Sequence, residues 1–330
     1  MNLKSNPTSK SSKIRVGLTI GDPSGIGPAI TLKAIKLLSN KVSFTVIGDS
    51  FVLAEAAKHL RIKPVLPKLI DLNNVKKRGF IFGSVSSRNG KASLEYLDAA
   101  VGLLKDGQLD CLVTCPISKE AINLAGSKFS GHTEYLAEKF GCRDLIMMLI
   151  NRKFKFSLVT RHIPLKDVSS QITREKLENN ILKTIEGLKG LFLIHKPRIV
   201  VCGINPHASD NGVIGMEELR EIKPAVAALR RKCAGALITG PLSPDIAISE
   251  AAKGLFDCVI ALYHDQALIP LKLTDFNSGI NFTLGLPFVR TSPLHGTAFN
   301  LAARPAQANP GSLIAAIELA IKCTSNLKKA

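Results

Sequence analysis

Three short apolar segments of this chain each lead directly to a histidine, and this pattern restricts the folds open to it. The segments are SLVT before Arg161 and His162, IVVCGI before NPH at 205–207, and CVIALY before His264. Their length and β-branched content predict buried strands. Because open α/β sheets bind ligands beyond the carboxyl ends of their strands, we predict that His162, His207 and His264 meet around one divalent metal ion.

The histidine pattern has an alternative interpretation. Neutral imidazole is a good ligand for zinc, cobalt, nickel and iron. The chain has no HExxH motif, so on spacing alone three unrelated histidines remain possible. If a metal is bound, Asp245 or Asp265 would accept a hydrogen bond from the second ring nitrogen of a ligating histidine.

Short predicted strands alternate with helical segments along the whole chain, which predicts the α/β fold class. The first strand, Ile14–Ile20, leads into the glycine-rich loop GDPSGIGP at 21–28. This loop matches neither GxGxxG nor a P-loop, and Asp22 within it would repel a pyrophosphate. A phosphate-binding loop and a structural or substrate-facing turn both remain open. Val65–Leu72 and Phe80–Val85 are predicted as further strands, and 330 residues favour two domains.

Composition narrows the class of protein. Apolar residues make up 45% of the chain, but no apolar run is long enough to span a membrane. Residues 1–14 are polar and basic without the apolar core of a secretory signal, so we expect a flexible tail on a cytoplasmic protein. The seven cysteines do not form a zinc-ribbon pattern and are expected to be reduced and mostly buried.

The formal charge of +18 raises nucleic acid as a partner. The basic residues are scattered, however, and the chain has no tryptophan and only three tyrosines to stack on bases. The composition therefore argues against nucleic-acid binding as the function, and a basic nucleic-acid-binding protein is the remote alternative. Attraction of an anionic substrate is the favoured use of the charge.

Polar residues in the second half of the chain predict an anion site. His132 and Thr133 precede an apolar helix, where backbone amides bind anions. Lys272, Asn281 and Arg290 follow His264 closely and would complete a phosphate and carboxylate pocket. The alternatives are a plain N-cap for Thr133 and surface charge for the cations. Lys119, in the first turn of a helix, is either a surface charge or a charge held for a ligand.

Six sequence blocks together resemble the 4-hydroxythreonine-4-phosphate dehydrogenase family of vitamin B6 biosynthesis. They are GDPSGIGP, GHTEYLAE, NPHA, GPLSPD, YHDQALIPLK and LGLPFVRTSPLHGTA, in chain order from about Val16 onwards. The resemblance implies an isocitrate/isopropylmalate-dehydrogenase-like fold with two α/β/α domains and an interdomain cleft. Residues 15–125 with 285–330 would form the cofactor domain, and 126–284 the metal, substrate and dimer domain. It also implies a homodimer with its active site at the subunit interface.

The resemblance assigns roles by position. The metal would be zinc, magnesium or cobalt, with ligands from both subunits; the cofactor would be NAD or NADP. The metal ligands would be His162, His207 and His264; the substrate-binding residues His132, Thr133, Lys272, Asn281 and Arg290; the cofactor-binding residues His295, Gly296, Thr297, Ala298 and Asn309.

The implied reaction is oxidation of 4-hydroxy-L-threonine 4-phosphate to a β-keto acid, which decarboxylates to 3-amino-2-oxopropyl phosphate in pyridoxal phosphate biosynthesis. Asp245, Asp265 and Lys119 are candidates for the general base, and the sequence does not rank them. Ala29, the loop 209–212 and Asn300 depart from the family pattern. These departures leave open the choice between NAD and NADP, and the alternative of a sister dehydrogenase acting on threonate or erythronate 4-phosphate.

Overall fold

The computed structural model describes residues 13–39, 42–64 and 66–329, which form one mixed sheet covered by helices. The strands are β1 (Arg15–Thr19), β2 (Ser43–Gly48), β3 (Lys68–Asp71), β4 (Cys111–Thr114), β5 (Ile146–Ile150), β6 (Lys155–Leu158), β7 (Arg198–Cys202), β8 (Leu237–Leu242), β9 (Cys258–Ala261), β10 (Ile280–Leu284) and β11 (Val289–Pro293).

Helices connect most of these strands. They are α1 (Gly27–Leu38), α2 (Ser50–Leu60), α3 (Ser87–Lys105), α4 (Lys119–Leu124), α5 (His132–Phe140), α6 (Val168–Gln171), α7 (Arg174–Gly190), α8 (Lys223–Lys232), α9 (Pro244–Ala252), α10 (His264–Thr274), α11 (Phe299–Ala302) and α12 (Gly311–Leu327). Shorter helical turns span Leu165–Asp167, Pro206–Gly212, Glu218–Ile222, Phe276–Ser278 and Pro305–Gln307.

The strand order is β3-β2-β1-β4-β11-β10-β5-β6-β9-β7-β8. Neighbours from β3 to β11 are parallel, and so are neighbours from β6 to β8. The strands between them, β11, β10, β5 and β6, pair antiparallel. Because β6, β9 and β7 are adjacent and parallel, the segments that carry His162, His264 and His207 all leave the same edge of the sheet.

Local sequence explains why the elements form where they do. Strands such as CLVT of β4 and IMMLI of β5 are buried along their whole length, as expected for strands covered on both faces. Asp49 begins α2 by accepting hydrogen bonds from the amides of Phe51 and Val52. Pro28 lies in the first turn of α1, as its fixed φ favours.

The α/β class is confirmed, but one predicted strand is wrong. Residues 80–85 form turns instead of a strand. Phe80 and Phe82 stack edge-on, with ring centroids 4.9 Å apart, and Phe80 packs on Phe51, so the apolar residues here cover α2. Gly83 has φ +84°, which ends any extended run. The strand predicted at 65–72 is shorter, and residue 65 lies outside the described part of the chain.

Three further predictions concern membrane-spanning helices, the cysteines and the N-terminal tail. Among the described residues, no helix is both long and apolar enough to cross a membrane. Five of the seven cysteines are buried, as predicted, and Cys142 and Cys233 are half-buried. The predicted tail, 1–14, falls mainly on residues 1–12, which lie outside the described ranges.

Candidate active site

A cleft of about 260 Å³ lies on one face of the central strands β5, β10 and β11. Asn281 pairs with Ser292 and Thr283 with Arg290 across β10 and β11, so these side chains share a face. The start of α5 and the segments after β4, β6, β9 and β11 close the cleft. The predicted site residues that line it are Lys119, His132, Thr133, His162, His264, Asn281, Arg290, His295 and Gly296.

Arg290 is the main charge in the cleft wall, and only 1% of it is exposed. Its Nη2 donates to Thr114 Oγ1 at 2.7 Å and its Nη1 to Thr283 Oγ1 at 3.1 Å. Burial lowers the pKa of Arg290 to about 10. No carboxylate among the described residues lies within ion-pair distance, and Nε has no hydrogen-bond partner there. Glu134 lines the same cleft and its charge raises the pKa of Arg290, but it lies beyond ion-pair distance. A buried cation without an ion-pair partner is costly, so an anionic ligand fits this position.

Three more buried polar atoms in the cleft lack hydrogen-bond partners among the described residues. They are His132 Nε2, Asn281 Oδ1 and His295 Nε2. Burial, followed by the nearby charge of Arg290, lowers the pKa of His132 well below its ordinary value. Burial also lowers the pKa of His295. These neutral groups offer both donors and acceptors, as binding of a polar ligand requires.

The start of α5 contributes to the same anion site. The N-cap is Gly131, with no side-chain capping bond, and the helix begins at His132. Thr133 is buried in the first turn, so its alternative interpretation as the N-cap is wrong. The free backbone amides of this turn carry partial positive charge toward the cleft.

Two of the three predicted metal ligands lie together. The ring centroids of His162 and His264 are 5.5 Å apart, with 48° between the planes. Burial lowers the pKa of His162, with smaller effects from Lys119 and His264. His264 Nδ1 lies 2.6 Å from Asp265 Oδ1, the acceptor that a ligating histidine needs. The pair therefore suits a divalent cation, which binds neutral imidazole.

His207 is not part of this pair. It lies beyond β7 in a turn where residues 207–211 all have positive φ, between 45° and 68°. Its charge is the smallest of the causes that lower the pKa of Asp245. The described residues contain no group of three or more histidine, cysteine or acidic side chains arranged for a metal. One chain alone thus does not assemble the predicted three-histidine site.

Two further predicted residues lie outside the cleft. Asp245 is exposed and accepts a hydrogen bond from Ser243 Oγ at 2.5 Å, which is the main reason that its pKa is lowered. Lys272 is exposed near the end of α10, with its Nζ 5.7 Å from the Phe276 ring centroid. Neither touches the cleft of its own chain.

The predicted cofactor loop, residues 295–298, packs on the glycine-rich loop. The amide of Ile26 donates to the Thr297 carbonyl at 2.9 Å. A Cβ added at Gly25 would lie 3.1 Å from that oxygen, so a larger residue would separate the loops. Ala298 has φ 44°. Asn309 is exposed, and its amide donates to Asn277 Oδ1 at 3.1 Å.

The sequence suggests that Asp22 faces a ligand at the glycine-rich loop. In the structure its side chain is instead fully buried within the loop. Its Oδ1 accepts hydrogen bonds from the amide and hydroxyl of Ser24, at 3.0 and 2.8 Å. Burial raises the pKa of Asp22 to about 6. The carboxyl group therefore shapes the loop through Oδ1, while its buried Oδ2 has no hydrogen-bond partner among the described residues.

Comparisons with known proteins identify the family. Residues 28–320 match the model of the family described as pyridoxal phosphate biosynthetic protein PdxA. The chain belongs to the PdxA family. It is 44% identical to the 4-hydroxythreonine-4-phosphate dehydrogenase of Sulfurihydrogenibium sp. (strain YO3AOP1), over 93% of this chain and 98% of that protein.

Solved structures support the same assignment. The 4-hydroxythreonine-4-phosphate dehydrogenase of Klebsiella pneumoniae superposes with a TM-score of 0.84 at 35% identity, covering 96% of this chain and 99% of that one. A terephthalate 1,2-cis-dihydrodiol dehydrogenase of Burkholderia xenovorans LB400 gives 0.64 at 28% identity, covering 94% and 98%. This PdxA family member therefore shares its fold with these solved dehydrogenases.

The structure of this PdxA family member adds residues that are absent from the predicted site. Thr114 and Thr283 hold the guanidinium of Arg290, and Arg161 lies 3.9 Å from Glu134 beside the cleft. The sequence contained a signal for Thr283. Side chains alternate between the two faces of a strand, so Thr283 in β10 lies on the same face as the predicted site residue Asn281. Thr114 carries no such signal because its strand is apolar and buried throughout.

Proposed function

We propose that this chain oxidises 4-hydroxy-L-threonine 4-phosphate with NAD(P) to a β-keto acid, which loses carbon dioxide to give 3-amino-2-oxopropyl phosphate. The observation that carries the proposal is the buried Arg290, which has no counter-charge within ion-pair distance among the described residues and faces a cleft shared with two close histidines. Relatives named for this reaction support the substrate.

The anionic group of the substrate binds at the Arg290 end of the cleft. Arg290 supplies the charge, and His132 Nε2, which lacks another partner among the described residues, would donate to the anion in its Nε2–H tautomer. The unpartnered Asn281 Oδ1 is an acceptor and would take a hydrogen bond from a hydroxyl or amino group of the substrate. The first turn of α5 adds backbone amides. Charge-assisted hydrogen bonds of this kind fix both position and orientation.

The pair His162 and His264 fits a divalent cation, and His207 of a second subunit would complete the ligand set in a homodimer. A cation there supplies Lewis-acid stabilisation of negative charge on a substrate oxygen. Asp265 holds the ring of His264 through the 2.6 Å contact. Of the three candidate bases, Lys119 alone lines the cleft of its own chain among the described residues. We therefore assign proton removal from the substrate hydroxyl to Lys119, with the cofactor placed along residues 295–298.

The test is NAD(P) reduction by the full-length protein with added divalent metal. We expect turnover with 4-hydroxythreonine 4-phosphate, and parallel assays with threonate and erythronate 4-phosphate separate the sister dehydrogenases. Arg290→Lys should keep the charge but lose the two-point contact with the threonine hydroxyls, and so should raise the substrate KM. Lack of turnover with the first substrate, alongside activity on either of the others, would contradict the proposal.

A further inference from the structure

A second cleft, of about 500 Å³, opens between the loop 74–81 and the first turns of α3. Its wall contains one acidic side chain and four basic ones. The acid, Glu95, already binds the Asn74 amide at 2.6 Å and lies 3.8 Å from Lys91. The basic residues are Lys76, Arg78, Arg88 and Lys91. Of these, the first three lack a carboxylate within 4.0 Å among the described residues, so the cleft carries net positive charge.

The backbone and the remaining wall add to this charge. The nineteen-residue helix α3 begins here, and Ser86 caps it through one bond to the Asn89 amide at 3.2 Å. The positive end of the helix dipole therefore faces the cleft. Phe80 and the exposed Ile81 supply an apolar side. A site with clustered cations and an apolar wall suits a phosphorylated ligand with a flat or apolar part.

The cleft adjoins the predicted cofactor loop. The amide of Gly83 donates to the Ser24 carbonyl at 2.7 Å, and the Ser24 hydroxyl donates to the Ser84 carbonyl at 2.7 Å. A Cβ added at Gly83 would lie 2.7 Å from the carbonyl oxygen of Phe299, directly after residues 295–298. Residues 83 and 84, which border this basic cleft, thus pack against both the glycine-rich loop and the end of the predicted cofactor loop.

We propose that the basic cleft binds a phosphate group, and that this group is the 2′-phosphate of NADP. The proposal rests on the proposed function because it places the dinucleotide along residues 295–298. NAD and NADP differ in charge only at the 2′ position, so Arg78 and Arg88 would favour NADP. One charge-assisted bond corresponds to about tenfold in affinity.

The experiment measures equilibrium binding of NADP, NAD and inorganic phosphate to the full chain by calorimetry. The test variant is Arg78→Ala with Arg88→Ala. The matched control is Arg231→Ala with Lys232→Ala, which removes the same charge from exposed positions in the last turn of α8. All four positions are exposed, so each variant should keep the wild-type melting temperature.

We expect the wild type and the control to bind NADP about tenfold more tightly than NAD, and the test variant to bind both equally. Millimolar phosphate should weaken NADP binding to the wild type and to the control, but not to the test variant. Equal binding of both cofactors by the wild type, or an equal loss in the control, overturns the proposal. Phosphate binding that depends on the arginines but leaves NADP affinity unchanged overturns the assignment to the cofactor. Absence of turnover would count against the proposed function, and the binding results would stand.

Discussion

At the scale of single residues, the cleft depends on how a buried guanidinium is held. Arg290 is fixed by two hydroxyls and not by a carboxylate, so its full charge remains available to a ligand. A carboxylate partner would neutralise that charge and compete with a substrate phosphate. Thr114 and Thr283 are therefore positioning residues that act through Arg290.

Replacement of Thr114 by valine tests this role. Valine has nearly the volume of threonine but lacks the hydroxyl. Arg290 Nη2 therefore loses the acceptor that lies 2.7 Å away in the wild type. We expect the substrate KM to rise about tenfold with kcat nearly unchanged, and the stability to fall by about 1–3 kcal/mol. Thr114→Ser keeps the hydroxyl and should restore the KM. A wild-type KM in the valine variant would refute the positioning role.

Asp22 offers a prediction about pH. Its pKa is raised to about 6 in the folded chain, from an ordinary 3.8, because burial disfavours the charged form. The folded state thus holds the proton more tightly, and the carboxyl destabilises the fold increasingly as pH rises from about 4 to above 6. Asp22→Asn keeps the acceptor for Ser24 and removes this cost. It should raise the melting temperature at pH 7.5, with a gain that shrinks toward pH 4.

The comparison for Asp22 is an exposed aspartate. Asp106→Asn changes the same charge at the exposed end of α3. The melting temperature of that variant should differ little from the wild type at either pH. A gain from Asp22→Asn that is equal at pH 7.5 and pH 4 would show that ionisation of Asp22 is not the cause.

At the scale of elements, the turn after β7 stands out because it is strained. Five consecutive residues without glycine, 207–211, adopt left-handed conformations. Each costs about 1–2 kcal/mol relative to the right-handed form. The surroundings hold the turn in place: Glu218 is buried and accepts hydrogen bonds from the amides of Ile204 and Asn205, both at 2.8 Å. Such strain is typical of functional segments, and this turn carries His207.

Glycine at Asp210 should relieve part of this strain. Asp210 is exposed and has φ 45°, a conformation that glycine adopts freely. We expect Asp210→Gly to increase the free energy of unfolding in urea by about 1 kcal/mol, after the entropic cost of glycine. Asp106→Gly, at φ −78°, provides the control and should lower it. A loss of stability in both variants would contradict the left-handed geometry.

At the scale of the whole molecule, one chain brings together only two of the three histidines that are predicted to bind a metal ion. His162 and His264 lie together, while His207, after the next strand, lies apart from them. The continuous sheet joins the segments assigned to the two predicted domains, so the division at 125/126 and 284/285 stays a prediction. A homodimer in which each subunit lends His207 to the other would complete the predicted three-histidine site.

Subunit complementation tests the shared site. His207→Ala and His264→Ala should each lose metal-dependent turnover and bound metal. If the ligands come from different subunits, a mixture allowed to exchange subunits should regain about a quarter of wild-type activity, because half of the dimers then carry one intact site. His59→Ala, on α2, is the control and should be fully active alone. No recovery in the mixture would show that the ligands do not cross between subunits.

The sequence by itself determined the α/β class, the order of most strands and helices, and the meeting of nine predicted residues in one cleft. Apolar periodicity and strand-end polar residues are local signals, and parallel neighbours bring such ends together. The six family blocks carry the resemblance that implies the roles of the site residues, and those roles stay predictions.

Tertiary structure alone decided the rest. It separates His207 from the other two histidines, buries Asp22, and turns the predicted strand at 80–85 into the loop beside the basic cleft. It also brings Thr114 into hydrogen-bond contact with Arg290, although the two residues are 176 positions apart in the sequence. The physical reason is that side-chain pairing across strands and the packing of loops depend on long-range contacts, which no local pattern of residues encodes.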